Sequence, residues 1–147
     1  MKKLKLLFLA LLATTFSYAV EGKEMTIYKS PYCGCCTLWT DIMKENGFKV
    51  NVIMVDNVMF KNEELGITPK TASCHTAIVD GYVVVGHVDY FAVKRMLTEK
   101  PDIKGLTVPG MPIGSPGMEQ GNIKQAYNIL YINKDGSTGI YEKIKGN

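Results

Sequence analysis

The N-terminal apolar run of this 147-residue sequence, Leu6 to Ala13, lacks the length of a transmembrane helix, which needs about 20 residues. A permanent membrane anchor is therefore disfavoured. Lysines at positions 2, 3 and 5 precede the run, and the small-x-small triplet Ser17-Tyr18-Ala19 follows it. That order is typical of a secretory signal peptide. We expect residues 1–19 to be removed and residues 20–147 to form one domain in the periplasm, with no membrane attachment after cleavage.

A surplus of positive charge is also absent once that segment is set aside. The full sequence has 17 Lys and Arg against 14 Asp and Glu, and residues 1–19 hold three lysines and no acidic residue. The remaining chain is formally neutral. It lacks the basic footprint of a nucleic-acid-binding protein, so no nucleic-acid partner is expected.

Cysteine is scarce, with four residues in the chain, yet three of them crowd into SPYCGCC as Cys33, Cys35 and Cys36. A secreted chain with four cysteines would ordinarily form two disulfides. The crowding opposes this, because a disulfide needs Cα atoms about 4.4–6.8 Å apart and a Cys35–Cys36 pair of neighbours is strained. At most one easy pair forms, which leaves two thiols for other chemistry.

Hydrophobic patterning predicts an α/β fold with the order β-α-β-(α)-β-β-α and a C-terminal β-hairpin. The first helix is expected at residues 35–46, between strands at 25–28 and 48–55. A short helix up to Gly66 follows, and a longer one begins at Asp89. A cysteine motif between the first strand and the first helix is the thioredoxin-like arrangement.

The second half of the chain contains two predicted hairpins separated by a long loop. Strands Cys74 to Val79 and Tyr82 to Val88 flank Asp-Gly, a strong type I′ turn signal. Residues 105–121 are rich in glycine and proline and are predicted to form a loop, and long loops are often functional. Strands at 126–133 and 138–144 form the C-terminal hairpin, to which no function is assigned.

The first hairpin turn determines which of its side chains face each other. With Asp80 and Gly81 at the centre of the turn, Cys74 lies opposite His87, where opposed residues have Cβ atoms about 4.5–5.5 Å apart. A thiolate and a neutral imidazole, both ligands for copper or zinc, are thereby placed within reach of one ion. By alternation along the strand, His75 is expected to point to the other face.

The CGCC stretch is expected at a helix N-terminus, where the helix dipole lowers thiol pKa values and favours thiolates. Thiolates serve either nucleophilic attack or metal binding. Cys33 and Cys36 form the C-x-x-C of a thiol-disulfide exchanger. The additional Cys35 would scramble such a pair, and it favours a multinuclear cluster in which one sulfur bridges two ions.

Two methionines lie in the Gly/Pro-rich loop, each in a Pro-Gly-Met triplet, as Met111 and Met118. Most methionines fill a hydrophobic core, but a rigid glycine-proline loop offers less core to fill. Thioethers are soft ligands that favour copper over zinc. Both residues are therefore candidate metal ligands.

Three stretches in this order resemble the CopG-type periplasmic copper proteins: YKSPYCGCC, ASCHTAIVDGYVVVGHV and GLTVPGMPIGSPGME. The resemblance spans residues 25–120 and implies a thioredoxin-like fold that binds copper in a multinuclear cysteine-bridged cluster, with a proposed redox role in copper resistance. VGHVDYF lacks the proline expected after G-H-V, which concerns the next helix rather than the ligand. By motif, the implied metal-binding residues are Cys33, Cys35, Cys36, Cys74, His87, Met111 and Met118.

The leading hypothesis is a periplasmic protein that holds Cu(I) or Cu(II), with copper ions and other periplasmic copper-resistance proteins as partners. Whether it turns over as a copper-dependent oxidoreductase is left open. One alternative is a thiol-disulfide oxidoreductase using Cys33 and Cys36, which leaves Cys35, His87 and the methionines without a role. Another is a structural zinc or disulfide module that binds a partner, since four cysteines could supply a tetrahedral zinc site.

Overall fold

A computed structural model describes residues 20–147, so the predicted signal peptide at residues 1–19 lies outside it. Within the described range the chain has seven strands and three helices, which confirms the α/β class. The helices are α1 (Gly34–Glu45), α2 (Val58–Glu64) and α3 (Tyr90–Glu99). The strands are β1 (Glu24–Lys29), β2 (Lys49–Met54), β3 (His75–Val79), β4 (Tyr82–Val85), β5 (Gly105–Thr107), β6 (Tyr127–Ile132) and β7 (Thr138–Ile144).

The strands form one sheet in the order β2-β1-β3-β4-β5-β6-β7. The pairs β1–β2 and β4–β5 are parallel, and the other neighbours are antiparallel. In the described residues 20–147, no helix is both long and apolar enough to cross a membrane. The thioredoxin-like assignment stays a prediction.

The β3–β4 hairpin has the predicted register. Val79 pairs with Tyr82, and Thr76 pairs with Val85. Asp80 and Gly81 both have positive φ, 49° and 81°, as the two central positions of a type I′ turn require. The hairpin therefore brings its two far ends, where Cys74 and His87 lie, to the same place.

The prediction that residues 105–121 form a loop throughout is wrong at its start, because Gly105–Thr107 forms β5. This short strand pairs with β4 on one side and β6 on the other, so it joins the C-terminal hairpin to the main sheet. A Cβ at Gly105 would lie 1.9 Å from the Val83 carbonyl oxygen. Only glycine permits this close approach of the backbones, which is a recognised use of glycine within a strand.

Helices α1 and α3 pack on one face of the sheet and form the larger hydrophobic core. The smaller cluster, on the other face, includes Ile67, Val83, Val85 and Ile132. Trp39 of α1 is fully buried, and its indole Nε1 donates a hydrogen bond to the Val88 carbonyl at 2.8 Å. Burial of such side chains stabilises the fold by about 1.5–3 kcal/mol each. It also holds the first turn of α1 against the end of the sheet where β3 begins and β4 ends.

Candidate metal centre

The CGCC motif occupies the start of α1, as predicted. Cys33 is the N-cap residue and Gly34 is the first helical residue. Cys33 and Cys35 are partly exposed, whereas Cys36 is fully buried. Unpaired N–H groups and the positive end of the helix dipole favour thiolates at this position.

Cys33 and Cys36 are joined in a disulfide, and among residues 20–147 the free cysteines are Cys35 and Cys74. The crowding of the motif predicts this outcome, namely one disulfide and two free thiols. The Cys35 sulfur lies 3.6 Å from that of Cys33, so the free thiol stays beside the disulfide.

The fourth cysteine, from the other half of the chain, completes a sulfur group. The four Sγ atoms of Cys33, Cys35, Cys36 and Cys74 lie within 4.8 Å of one another. Two sulfurs bound tetrahedrally to one ion at about 2.3 Å would be about 3.8 Å apart. The donor set therefore fits a metal centre once the disulfide is reduced, and thiolates select soft ions such as Cu(I).

Cys74 also belongs to a second group, with two histidines. Its Sγ lies 3.1 Å from His87 Nε2 and 3.3 Å from His75 Nδ1. The proximity of Cys74 and His87 agrees with the hairpin prediction. The prediction that His75 points away from them is wrong, because all three ligand atoms lie within 4.8 Å of one another.

The position of His75 follows from where β3 begins. His75, Ala77 and Val79 alternate along β3 and face α1 and α3, so the His75 ring packs 4.5 Å from that of Trp39, centroid to centroid. Cys74 lies on a bend just before the strand, where alternation no longer applies. Its side chain is thus free to turn towards the same side as His75.

Hydrogen bonding sets the tautomer of His87. Its Nδ1 lies 2.8 Å from the Pro116 carbonyl oxygen. Because a carbonyl only accepts, Nδ1 carries the proton and donates it, which leaves the Nε2 lone pair directed towards Cys74. Metal-binding histidines are usually oriented in this way by a hydrogen bond from the other ring nitrogen.

Burial holds the donor atoms in their neutral forms. It raises the pKa of the Cys74 thiol to about 11, with electrostatic interaction with Cys35 as the second cause. It lowers the pKa of His75 to about 3, with repulsion from His87 as the second cause, and also lowers the pKa of His87. At neutral pH both imidazoles offer lone pairs, while Cys74 must lose a proton to bind a metal.

The Pro-Gly-Met loop lies against the start of α1. A Cβ at Gly117 would be 2.9 Å from both the Cys35 carbonyl oxygen and the Trp39 backbone nitrogen. Met118, the next residue, is half-buried, whereas 52% of Met111 is exposed. The loop backbone therefore meets the start of α1 at Gly117, next to Met118, while Met111 is more exposed, and ligation by either methionine stays a prediction.

Sequence reasoning also missed Lys29, the last residue of β1. It is only 3% exposed, it pairs with His75 in the β1–β3 register, and its Nζ donates to the Ser30 carbonyl at 3.3 Å. The charge of this buried lysine contributes to lowering the pKa of His75, after burial and repulsion from His87. A single lysine at the end of a short strand carries no sequence signal for this role.

Comparison with known proteins gives the following matches. The family model described as "Protein of unknown function, DUF411" matches residues 71–118, which include Cys74, His87 and both methionines of the loop. A search of curated proteins finds no match. The solved structure "Copper resistance protein copG- Form 2" matches with 33% identity and a TM-score of 0.81, over 85% of this chain and 100% of that chain. "Copper resistance protein copG- Form 1" matches with 33% identity and a TM-score of 0.80, over 86% of this chain and 100% of that chain.

Proposed function

The chain belongs to the family of the copper resistance protein CopG, and we propose that it binds copper ions and acts in copper resistance. The observation that carries the proposal is the convergence of four cysteine sulfurs within 4.8 Å. The disulfide between Cys33 and Cys36 makes this the oxidised form of the centre, and reduction would free all four sulfurs to bind metal as thiolates, with Cys74 losing its proton on binding.

In the reduced form these thiolates would hold several Cu(I) ions in a cysteine-bridged cluster. Four sulfurs from Cys33, Cys35, Cys36 and Cys74 suit sharing between soft ions, because a thiolate can bridge two of them and selects Cu(I). His87 would add a nitrogen ligand, and Met111 and Met118 would supply soft thioether ligands.

The chain's own residues prepare this site. The start of α1 stabilises thiolates, Lys29 adds a buried positive charge, and the Pro116 carbonyl orients His87. The signal-like residues 1–19 support a periplasmic location. There the protein would exchange copper with other copper-resistance proteins, in a compartment where free copper is toxic.

The test is the copper content of the chain from residue 20 onwards, reduced, loaded anaerobically with Cu(I) and desalted. We expect more than one tightly held copper per chain, which zinc does not displace. Cys35→Ser should lower the copper content sharply, because it removes a candidate bridging sulfur while leaving Cys33 and Cys36 able to pair. Unchanged stoichiometry in this variant would overturn the cluster, and displacement by zinc would favour a structural zinc site.

A second function is favoured by one observation, the disulfide between Cys33 and Cys36 at the start of α1. A thiol-disulfide oxidoreductase would use this pair for exchange, with the helix dipole stabilising the attacking thiolate. It predicts metal-free reduction of insulin by the dithiol form. If this activity is present and no copper is retained, the exchange function replaces the copper function.

A further inference from the structure

The disulfide affects the two donor groups of the centre differently. A metal ligand must be a thiolate, so the Cys33–Cys36 bond withdraws two of the four sulfurs from the cysteine group. The group of Cys74, His75 and His87 shares neither of those two residues, and it stays complete in the disulfide form.

We propose that the disulfide form retains a separate site for a single copper ion, made of Cys74, His75 and His87. This inference rests on the proposed copper function and adds a second binding state to it. The dithiol form would hold a multinuclear Cu(I) cluster, and the disulfide form would keep one ion at the histidine side.

The distances suit one ion. Metal–sulfur and metal–nitrogen bonds of about 2.3 and 2.0 Å at a tetrahedral angle place sulfur and nitrogen about 3.5 Å apart. Cys74 Sγ lies 3.1 and 3.3 Å from the two nitrogens, so small movements would admit the metal. The rings of His75 and His87 are nearly perpendicular, at 87°, with centroids 5.0 Å apart.

The two histidines are held in place before metal arrives. Both are fully buried, and His87 is oriented by the Pro116 carbonyl. His75 packs against Trp39, and its Nε2 is buried with no hydrogen-bond partner among the described residues. Its other polar atom, Nδ1, lies 3.3 Å from Cys74 Sγ, so the side-chain hydrogen bond of this buried ring lies within the proposed site.

The ligand type distinguishes this site from the cysteine cluster. Two imidazoles and one thiolate form a ligand set that proteins use for copper in both oxidation states, whereas a purely thiolate set selects Cu(I). The disulfide form would therefore accept Cu(II) as well as Cu(I). Cys35 lies outside the histidine group, so it is not required for this site.

The experiment compares the dithiol and disulfide forms of the chain from residue 20 onwards, each loaded anaerobically with Cu(I) and desalted. The disulfide form is first verified by its two free thiols per chain. Copper is then counted, and its sulfur and nitrogen neighbours are determined by X-ray absorption. We expect one copper per chain with one sulfur and two nitrogens in the disulfide form, and several coppers with mostly sulfur neighbours in the dithiol form.

Variants give matched controls. In the disulfide form, His75→Gln should weaken copper binding by at least about tenfold, given that even the partners of metal ligands are worth about 10–100-fold. Cys35→Ser should leave it unchanged. A Cys33→Ser/Cys36→Ser chain, which cannot form the disulfide and lacks both sulfurs, should hold the same single copper, and circular dichroism checks that each variant is folded.

The experiment distinguishes failure of the histidine site from failure of the proposed copper function. If the dithiol form holds several coppers while the disulfide form and the double-serine chain hold none, the histidine site is overturned and the proposed function stands. If His75→Gln leaves the single copper unchanged, His75 is not a ligand and the site as proposed is wrong. If the dithiol form holds no copper, the proposed function itself falls.

Discussion

The centre has two sides that are built in different ways. On the helix side, Cys33 and Cys35 are partly exposed in the first turn of α1, and Cys33 is covalently paired with Cys36. On the hairpin side, His75 and His87 are fully buried where β3 begins and just beyond β4. The cysteines of the helix side can be oxidised and reduced, whereas the hairpin side is fixed by packing and hydrogen bonds. The difference indicates that redox sensitivity and preorganisation are assigned to separate elements.

Cys74 is the residue that both sides share, so its removal should have the largest effect. Cys74→Ser keeps the size of the side chain but removes a sulfur from both donor groups. We expect the copper content to fall severalfold in the dithiol form and to below one per chain in the disulfide form, as measured after desalting.

The control for Cys74→Ser is the other free cysteine. Cys35→Ser should affect only the dithiol form, because Cys35 belongs to the cysteine group alone. If Cys74→Ser and Cys35→Ser lose the same amount of copper in both the dithiol and the disulfide forms, the two sides are not separate binding sites.

The contact between the Pro-Gly-Met loop and α1 can be tested with a pair of glycines. Gly117 has φ of +84°, and a Cβ there would lie 2.9 Å from backbone atoms of α1. Gly117→Ala should therefore lower the free energy of unfolding by at least about 2 kcal/mol, from backbone strain and displacement of the loop. Urea unfolding measures this directly. The same change should weaken copper binding, because Pro116 orients His87.

Gly34 is the matched control, since it lies beside the same cysteines but at the start of α1. A Cβ there would meet no described atom within 4 Å, and φ is not positive. Gly34→Ala should stabilise the fold by about 0.5–1 kcal/mol through helix propensity and reduced chain entropy. If both alanines destabilise equally, the close approach at Gly117 is not the cause.

The sequence predicts the helix side better than the hairpin side. The position of CGCC at the start of α1 and the β3–β4 register both follow from local signals, namely a helical pattern and an Asp-Gly turn. Strand β5 was missed because three residues, Gly-Leu-Thr, show no periodicity and pair through long-range contacts. His75 was misplaced because alternation was extended to Cys74, which lies outside the pleat. Where a strand ends is decided by packing, which local patterns do not record.

The burial of the histidines predicts a pH dependence for the metal-free disulfide form. Burial, followed by repulsion from His87, lowers the pKa of His75 from 6.5 to about 3. Between these values the unfolded chain binds a proton that the folded chain does not, so stability falls as the pH decreases below 6.5. From pH 7 to pH 5, His75 alone should lower the free energy of unfolding by about 2 kcal/mol.

Urea unfolding of the chain and of His75→Gln at both pH values measures this contribution. The variant should lose less stability on acidification, because Gln does not titrate. His87, whose pKa is also lowered by burial, acts in the same direction and should leave a residual dependence. A pH response unchanged by the variant would mean that His75 is not held neutral in the interior.

The smallest expected effect separates the two methionines of the loop. Met118 is half-buried and follows Gly117, which touches the first turn of α1, whereas Met111 is 52% exposed. Leucine keeps the volume of methionine and removes the sulfur, so Met118→Leu should weaken Cu(I) binding to the dithiol form a few-fold and Met111→Leu should weaken it less. A competing Cu(I) chelator measures both affinities. If both variants bind Cu(I) as tightly as the unsubstituted chain, the methionines are not ligands. The loop would then contribute only through the Pro116 carbonyl that orients His87.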